Sequence, residues 1–144
     1  METRTMGNAV ENLKKAHQAF SEMRLADSAS LLAANATFTD HGRNQKTDSR
    51  EEFQGWLGQH FAMASNVRIE DAQYVEMGNT VVAQFRAVGN QDGALGPFPP
   101  TGKPFTLDVC EVWTFNEEGQ AIEGHNYSDG LGLLGQLGHI SMGE

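Results

Sequence analysis

The chain has 144 residues and a formal net charge of -9, from 19 acidic and 10 basic side chains. This length predicts one domain, residues 1–144, that buries its own core. The acidic excess argues against nucleic acid or an anionic membrane as a partner. Cys110 is the sole cysteine. Without a disulfide, a signal peptide or an apolar run of membrane-spanning length, the chain is expected in the cytoplasm.

Helices are predicted where apolar residues recur at three- and four-residue steps behind residues that favour helix starts. These segments are about residues 7–24, 27–32 and 49–63. Asp27 is the expected cap of the second helix. The third helix begins with a capping box, in which Ser49 and Glu52 satisfy each other's backbone N–H groups. Its apolar stripe includes Trp56, which we expect in the core or lining a pocket.

Strands are predicted mainly in the second half of the chain, and Asp129 precedes a final Leu-rich helix. The strand segments are about residues 36–41, 67–77, 80–88, 105–115 and 121–127. Gly78-Asn79 is typical of a hairpin turn. Residues 93–101 contain three prolines, which lack the N–H that a strand ladder requires, so they form a loop.

Helices followed by a run of strands and one more helix indicate the α+β class. We expect a curved, largely antiparallel (mixed) sheet that wraps the N-terminal helices as a cone with an internal pocket. The five histidines and one cysteine show no metal-ligand spacing, so no metal site is predicted.

Four polar residues alternate near the end of the last predicted strand: Glu123, His125, Tyr127 and Asp129. Side chains of a strand alternate between its two faces, so these four share one face if the strand continues through Asp129. The pattern fits an acid–base array. It fits equally well a polar, solvated face of an edge strand.

Glu111 is predicted to share a strand face with Val109 and Trp113, which places an acid among apolar side chains. A buried charge is costly unless it is paired or functional. This position therefore indicates either a pocket residue or a paired structural one.

Three segments show a family resemblance: Phe38-Thr39-Asp40-His41, residues 89–103 with Pro-Pro-Thr-Gly-Lys, and the Asp129–Gly138 ending. With these segments the chain resembles the SnoaL-like polyketide cyclases over about residues 8–138. That family has the cystatin-like cone fold shared with ketosteroid isomerase, scytalone dehydratase and nuclear transport factor 2.

The resemblance implies that Asp129 is the catalytic acid–base group. It would remove a proton next to a carbonyl of an apolar small molecule, before an intramolecular aldol closure without cofactor or metal. A homodimer formed through the sheet is also implied. From spacing alone, Asp129 is equally well explained as a helix N-cap.

The remaining candidates surround this acid. His125, where relatives often have Trp, is the second catalytic candidate, and Tyr127 would donate to the developing enolate oxygen. Gln91 stands where many relatives have His and would bind substrate. Asp40 and His41 are expected at the cavity wall. Two alternatives stay open: a hydratase or dehydratase, and a non-catalytic ligand-binding or dimerisation module of the same fold.

Overall fold

The computed structural model describes residues 5–141. These residues form four helices and six strands. The helices are α1 (Thr5–Ser21), α2 (Leu25–Ala29), α3 (Arg50–Met63) and α4 (Gly130–Gln136). The strands are β1 (Leu32–Asp40), β2 (Gln45–Thr47), β3 (Arg68–Met77), β4 (Thr80–Asn90), β5 (Pro104–Phe115) and β6 (Ala121–Ser128). Within the described residues, no helix has the length and apolar character needed to cross a membrane.

The six strands form one curved, unclosed sheet in the order β2-β1-β6-β5-β4-β3. The β1–β6 pair is parallel and the other four pairs are antiparallel. The sheet is mixed because β1, from the N-terminal half, lies parallel to the last strand β6 on one side and antiparallel to its sequence neighbour β2 on the other. The predicted α+β fold is confirmed.

Two local predictions differ from the structure. Strand β2 was not predicted, because three residues carry too little periodicity, and β1 begins at Leu32 rather than at residue 36. Asp27 does not cap α2. The cap position is Arg24, without a side-chain cap, and Arg24 Nη1 instead donates to Asp27 Oδ2 at 2.8 Å. The Ser49 cap of α3 is confirmed, since its hydroxyl accepts from Glu52 N at 3.1 Å.

The core lies between the concave sheet face and helices α1 and α3. Its central row crosses three strands, where Trp113 of β5 pairs with Gly124 of β6, which pairs with Phe38 of β1. The rings of Trp113 and Phe38 stack with centroids 5.5 Å apart. A Cβ at Gly124 would lie 2.2 Å from Trp113 Cζ3. The indole therefore occupies the space that any side chain at position 124 would need.

Replacing Gly124 by alanine should destabilise the fold, because the new methyl group must displace the buried Trp113 ring. Overpacking of this kind costs about 1–3 kcal/mol. The control is Gly55→Ala in α3, where an added Cβ meets nothing within 4 Å. There alanine should stabilise by about 0.5–1 kcal/mol through helix propensity. Urea unfolding of both variants measures this; equal stability of Gly124→Ala and wild type would contradict the packing.

Candidate active site

A partly enclosed cavity of about 80 Å³ lies between the concave sheet face and helices α1 and α3. Most of its lining is apolar and comes from buried core residues. Several polar side chains interrupt that lining: His17, Ser28, Asp40, Arg43, His60, Glu111, Asn126 and Ser128. An apolar pocket with a few convergent polar groups is the usual form of a small-molecule site.

Strand register places three of these polar residues in one row. Asp40 of β1 pairs with Asn126 of β6, which pairs with Glu111 of β5. Neighbouring strands lie about 4.8 Å apart, so the two acids are about 10 Å apart across the sheet. All three residues are buried, with exposed fractions of 3%, 6% and 6% for Asp40, Asn126 and Glu111. The row forms a polar stripe across an otherwise apolar cavity.

Glu111 is a buried carboxylate with three hydrogen-bond donors. Oε1 accepts from His17 Nε2 at 2.9 Å and from Trp113 Nε1 at 3.0 Å, and Oε2 accepts from Asn126 Nδ2 at 3.0 Å. Burial alone would raise the pKa of Glu111. The hydrogen bonds from His17, Trp113 and Asn126 outweigh burial and hold the pKa below its ordinary value. Glu111 is therefore ionised at neutral pH.

His17 of α1 joins Glu111 to Tyr74 of β3. Its Nδ1 lies 2.7 Å from the Tyr74 hydroxyl. Burial and the negative charge of Glu111 raise the pKa of Tyr74 to about 12, so the phenol stays protonated. An ionised Glu111 only accepts, so His17 Nε2 carries a proton, and a neutral His17 accepts from Tyr74 at Nδ1. The chain Tyr74–His17–Glu111 fixes the imidazole tautomer and orientation.

Asp40 is the second buried acid of the row. Its Oδ2 accepts from Trp56 Nε1 at 2.9 Å, and its Oδ1 accepts from the backbone N–H of Arg43 at 3.2 Å. The Arg43 Nε atom lies 3.7 Å from Oδ2. Each carboxylate oxygen has two lone pairs, so these contacts leave acceptor capacity on both oxygens. Asp40 lines the cavity and can accept a proton there.

His60 of α3 contributes a neutral imidazole to the cavity wall. Its Nδ1 lies 3.0 Å from the Trp56 carbonyl oxygen and 3.3 Å from that of Leu57. Carbonyl oxygens only accept, so Nδ1 carries the proton and Nε2 keeps its lone pair. Burial and the nearby positive charge of Arg43 lower the pKa of His60 to about 4.

Three of the residues predicted from sequence line this cavity: Asp40, Glu111 and Trp56. The others lie elsewhere. Asp129, expected at the floor of the cone, is exposed at the N-cap of α4, where Oδ1 accepts from Gly132 N at 2.8 Å. It does not line the cavity. The structure thus corrects its expected placement, in favour of the cap.

The alternating residues of β6 do share one face, but it is the outer face of the sheet. Gly124 and Asn126 point inward, so Glu123, His125 and Tyr127 point outward. There His125 Nδ1 lies 2.9 Å from His41 Nε2, and His125 Nε2 lies 2.8 Å from Glu123 Oε2. Tyr127 stacks on His41 with centroids 4.4 Å apart. His41, His125 and Tyr127 are therefore corrected from cavity residues to an outer-face cluster.

Gln91 is fully buried but outside the cavity lining. Its Nε2 donates to the carbonyls of Gly93, Phe98 and Pro99. Its Oε1 lies 2.7 Å from His139 Nε2. Gln91 thus fastens the proline-rich loop to the domain, and the structure places it outside the cavity where the predicted substrate contact was expected.

Sequence reasoning missed seven polar residues at or behind the cavity: His17, Ser28, Arg43, His60, Tyr74, Asn126 and Ser128. The inward orientation of Asn126 could have been predicted from the sequence. Trp113 must face the core, its strand partner Gly124 leaves space for it, and position 126 follows Gly124 on the same face. His17 and His60 lie within apolar helix stripes, where periodicity shows burial but no partner. Among residues 5–141, no group of three or more His, Cys, Asp or Glu is arranged to hold a metal ion.

Comparison with known proteins agrees with this fold. The model of the SnoaL-like domain matches residues 13–124, most of the chain. The chain belongs to the SnoaL-like domain family. No curated protein matches its sequence. Solved structures show which fold this SnoaL-like domain has.

Three solved structures illustrate the likeness. A proposed SnoaL-like polyketide cyclase from Jannaschia sp. CCS1 has a TM-score of 0.84 at 19% identity, covering 95% of this chain and 96% of that one. IdmH, a proposed polyketide cyclase from Streptomyces antibioticus, has 0.77 at 23%, covering 90% and 98%. A hypothetical protein with a ketosteroid isomerase-like fold from Catenulispora acidiphila, in complex with trimethylamine, has 0.78 at 21%, covering 93% and 97%. At these identities the likeness establishes the fold of the SnoaL-like domain.

The neutral His60 should make this SnoaL-like domain lose stability on mild acidification. The folded-state pKa of His60 is about 4, below the unfolded value of about 6.5, so the unfolded chain binds more protons between these values. The free energy of unfolding should therefore fall by about 1–2 kcal/mol between pH 7 and pH 5 through this group.

His60→Gln removes the titrating group and should flatten that part of the pH profile. Urea unfolding at pH 7, 6 and 5 gives the comparison. Gly55→Ala, a change in the same helix that alters no titrating group, is the control and should keep the wild-type slope. An identical slope for His60→Gln and wild type would show that His60 is not held neutral.

Proposed function

We propose that the chain is a cofactor-independent acid–base enzyme that removes a proton next to a carbonyl group of an apolar small molecule. The observation that supports this most is Asp40, a 3% exposed carboxylate with remaining acceptor capacity in the wall of an apolar cavity. In such a site a carboxylate makes few hydrogen bonds with water, so it can take a proton from a C–H group of a bound substrate.

In the proposed reaction, Asp40 takes a proton from the carbon next to the substrate carbonyl. The electron pair of the broken C–H bond moves to the carbonyl oxygen and forms an enolate. In an aldol closure, the enolate carbon then bonds to a second carbonyl carbon of the same molecule. The resulting alkoxide takes the proton back from Asp40, so the cycle balances without a further reactant.

Asn126 is proposed to stabilise the enolate oxygen. One N–H of its amide donates to Glu111 Oε2, and no residue among 5–141 takes the other. Because ionised Glu111 holds the amide in this orientation, the second N–H needs little reorganisation during the reaction. Donors fixed in advance in a low-dielectric site are the main source of stabilisation for developing oxyanions.

The Tyr74–His17–Glu111 chain is proposed to keep this arrangement rigid. Glu111 has all three donors in place, so it is a poor base, and its role is to orient Asn126 and His17. This division gives the two acids of the row different tasks: Asp40 exchanges protons and Glu111 remains charged.

Proton exchange into a small ketone tests the proposal without knowledge of the natural substrate. The protein should accelerate deuterium incorporation next to the carbonyl of 2-tetralone in D2O, followed by 1H NMR. Asp40→Asn should lower that rate by about 10²–10⁴-fold, the usual contribution of a general base. Asp108→Asn is the matched control, because the Asp108 side chain is 92% exposed and faces away from the cavity.

Asp129→Asn separates the structural assignment from the family expectation. Asparagine also caps helices well, so this variant should fold and retain exchange activity. If Asp129→Asn loses exchange while Asp40→Asn keeps it, Asp129 is the base and the proposal is wrong. Binding of 2-tetralone without any exchange by wild type would favour the non-catalytic ligand-binding alternative. Circular dichroism confirms that each variant is folded.

A further inference from the structure

Arg43 lies where the inner cavity meets a second, outer groove. This groove has a volume of about 670 Å³ and is bounded by residues 94–98, the start of α4 and the end of α3. Three residues line both spaces: Arg43, Gly130 and Leu133. The inner cavity of about 80 Å³ is small beside the 300–1,000 Å³ typical of ligand pockets. Arg43 therefore borders both a ligand in the inner cavity and one in the outer groove.

The Arg43 guanidinium has hydrogen-bonding capacity to spare. Within residues 5–141 its side chain makes a single hydrogen bond, from Nη2 to Gln59 Oε1 at 2.7 Å. Its Nε lies 3.7 Å from Asp40 Oδ2, beyond hydrogen-bond length. The side chain is only 21% exposed. A guanidinium carries more N–H donors than this single bond uses, and their planar fork matches a carboxylate.

The charges around Arg43 determine how this part of the molecule interacts with an anionic ligand. The whole chain carries a net charge of -9, which repels anions at long range. Of the other titratable side chains that line the inner cavity, Asp40 and Glu111 are acids, His17 is hydrogen-bonded to Glu111 and Tyr74, and His60 is held neutral. The largely buried Arg43 side chain therefore supplies local attraction at this junction for an anionic group that the net charge of the chain repels.

We propose that Arg43 binds a carboxylate group of the substrate, which makes the substrate class an apolar carbonyl compound that carries an acid. This inference rests on the proposed function for the position of the reacting carbon. The carboxylate binds the terminal nitrogens of Arg43 at the junction, while the apolar skeleton occupies the cavity. Arg43 is a specificity-determining residue and takes no part in proton transfer.

Two matched ligands test this directly. Isothermal titration calorimetry compares 2-naphthoate with 2-naphthamide, which has the same ring and shape but no charge. Wild type should bind naphthoate about tenfold or more tightly, as charge-assisted hydrogen bonds predict. Arg43→Gln should reduce the preference to about twofold or less, and Arg43→Lys should keep part of it, because the charge stays and the fork is lost.

Arg86→Gln is the control, since Arg86 lies on another surface and pairs there with Asp71 at 3.0 Å. It should retain the wild-type preference. A wild-type protein that binds neither ligand, or both equally, would overturn the inference. So would Arg43→Gln with an unchanged preference.

Asp40→Asn distinguishes this inference from the proposed function. That variant removes a negative charge near Arg43, so it should bind naphthoate at least as tightly as wild type while losing proton exchange. If 2-tetralone exchanges protons but naphthoate is not preferred, the enzyme proposal stands and the role of Arg43 is refuted. A preference for naphthoate without proton exchange supports Arg43 and contradicts the enzyme proposal.

Discussion

The site depends on one buried charge, the carboxylate of Glu111. Burying an ion in an apolar core is costly, and here three donors from α1, β5 and β6 offset that cost. The same hydrogen bonds position the groups around the cavity: His17 is locked between Glu111 and Tyr74, Trp113 is fixed over Gly124, and Asn126 is held beside Asp40. The hydrogen-bonded Glu111 carboxylate thus orients side chains of α1, of the sheet and of the cavity wall.

The geometry of the sheet explains how distant parts of the chain supply this arrangement. The parallel β1–β6 pair brings Asp40, from the first third of the chain, level with Asn126 and Glu111. Helices α1 and α3 then cover the concave face and add His17, Trp56 and His60. The two acids differ in their surroundings, because Glu111 is fully occupied by donors while Asp40 retains acceptor capacity. That difference supports assigning structure to one and proton transfer to the other.

Much of the fold could be predicted from hydrophobic periodicity, whereas the site depends on which face of β6 points into the core. The helices, four of the five predicted strands within a few residues, and the α+β class were visible because their patterns extend over many residues. The alternation of Glu123, His125 and Tyr127 on β6 was also real, whereas Asp129 lies beyond that strand as the cap of α4. However, a strand with polar residues on alternate positions does not say which face is inside, and a shift of one residue exchanges the faces.

Glu111 and Trp113 held the necessary information, because a buried indole requires space opposite it and Gly124 provides that space. His17 and Arg43 could not be found in this way, since their partners are 94 and 16 positions away.

The two tryptophans offer the most direct test of the central claim, that the reactive site is the inner cavity rather than the outer-face cluster. Trp56 donates its indole N–H to Asp40, and Trp113 donates its own to Glu111. Each indole 15N–1H NMR signal therefore reports on one of the two acids. On titration with 2-tetralone, the Trp56 signal should shift most, the Trp113 signal should shift less, and the His125 ring signals should stay unchanged. Shifts at His125 and Tyr127, with both indole signals unmoved, would contradict the account.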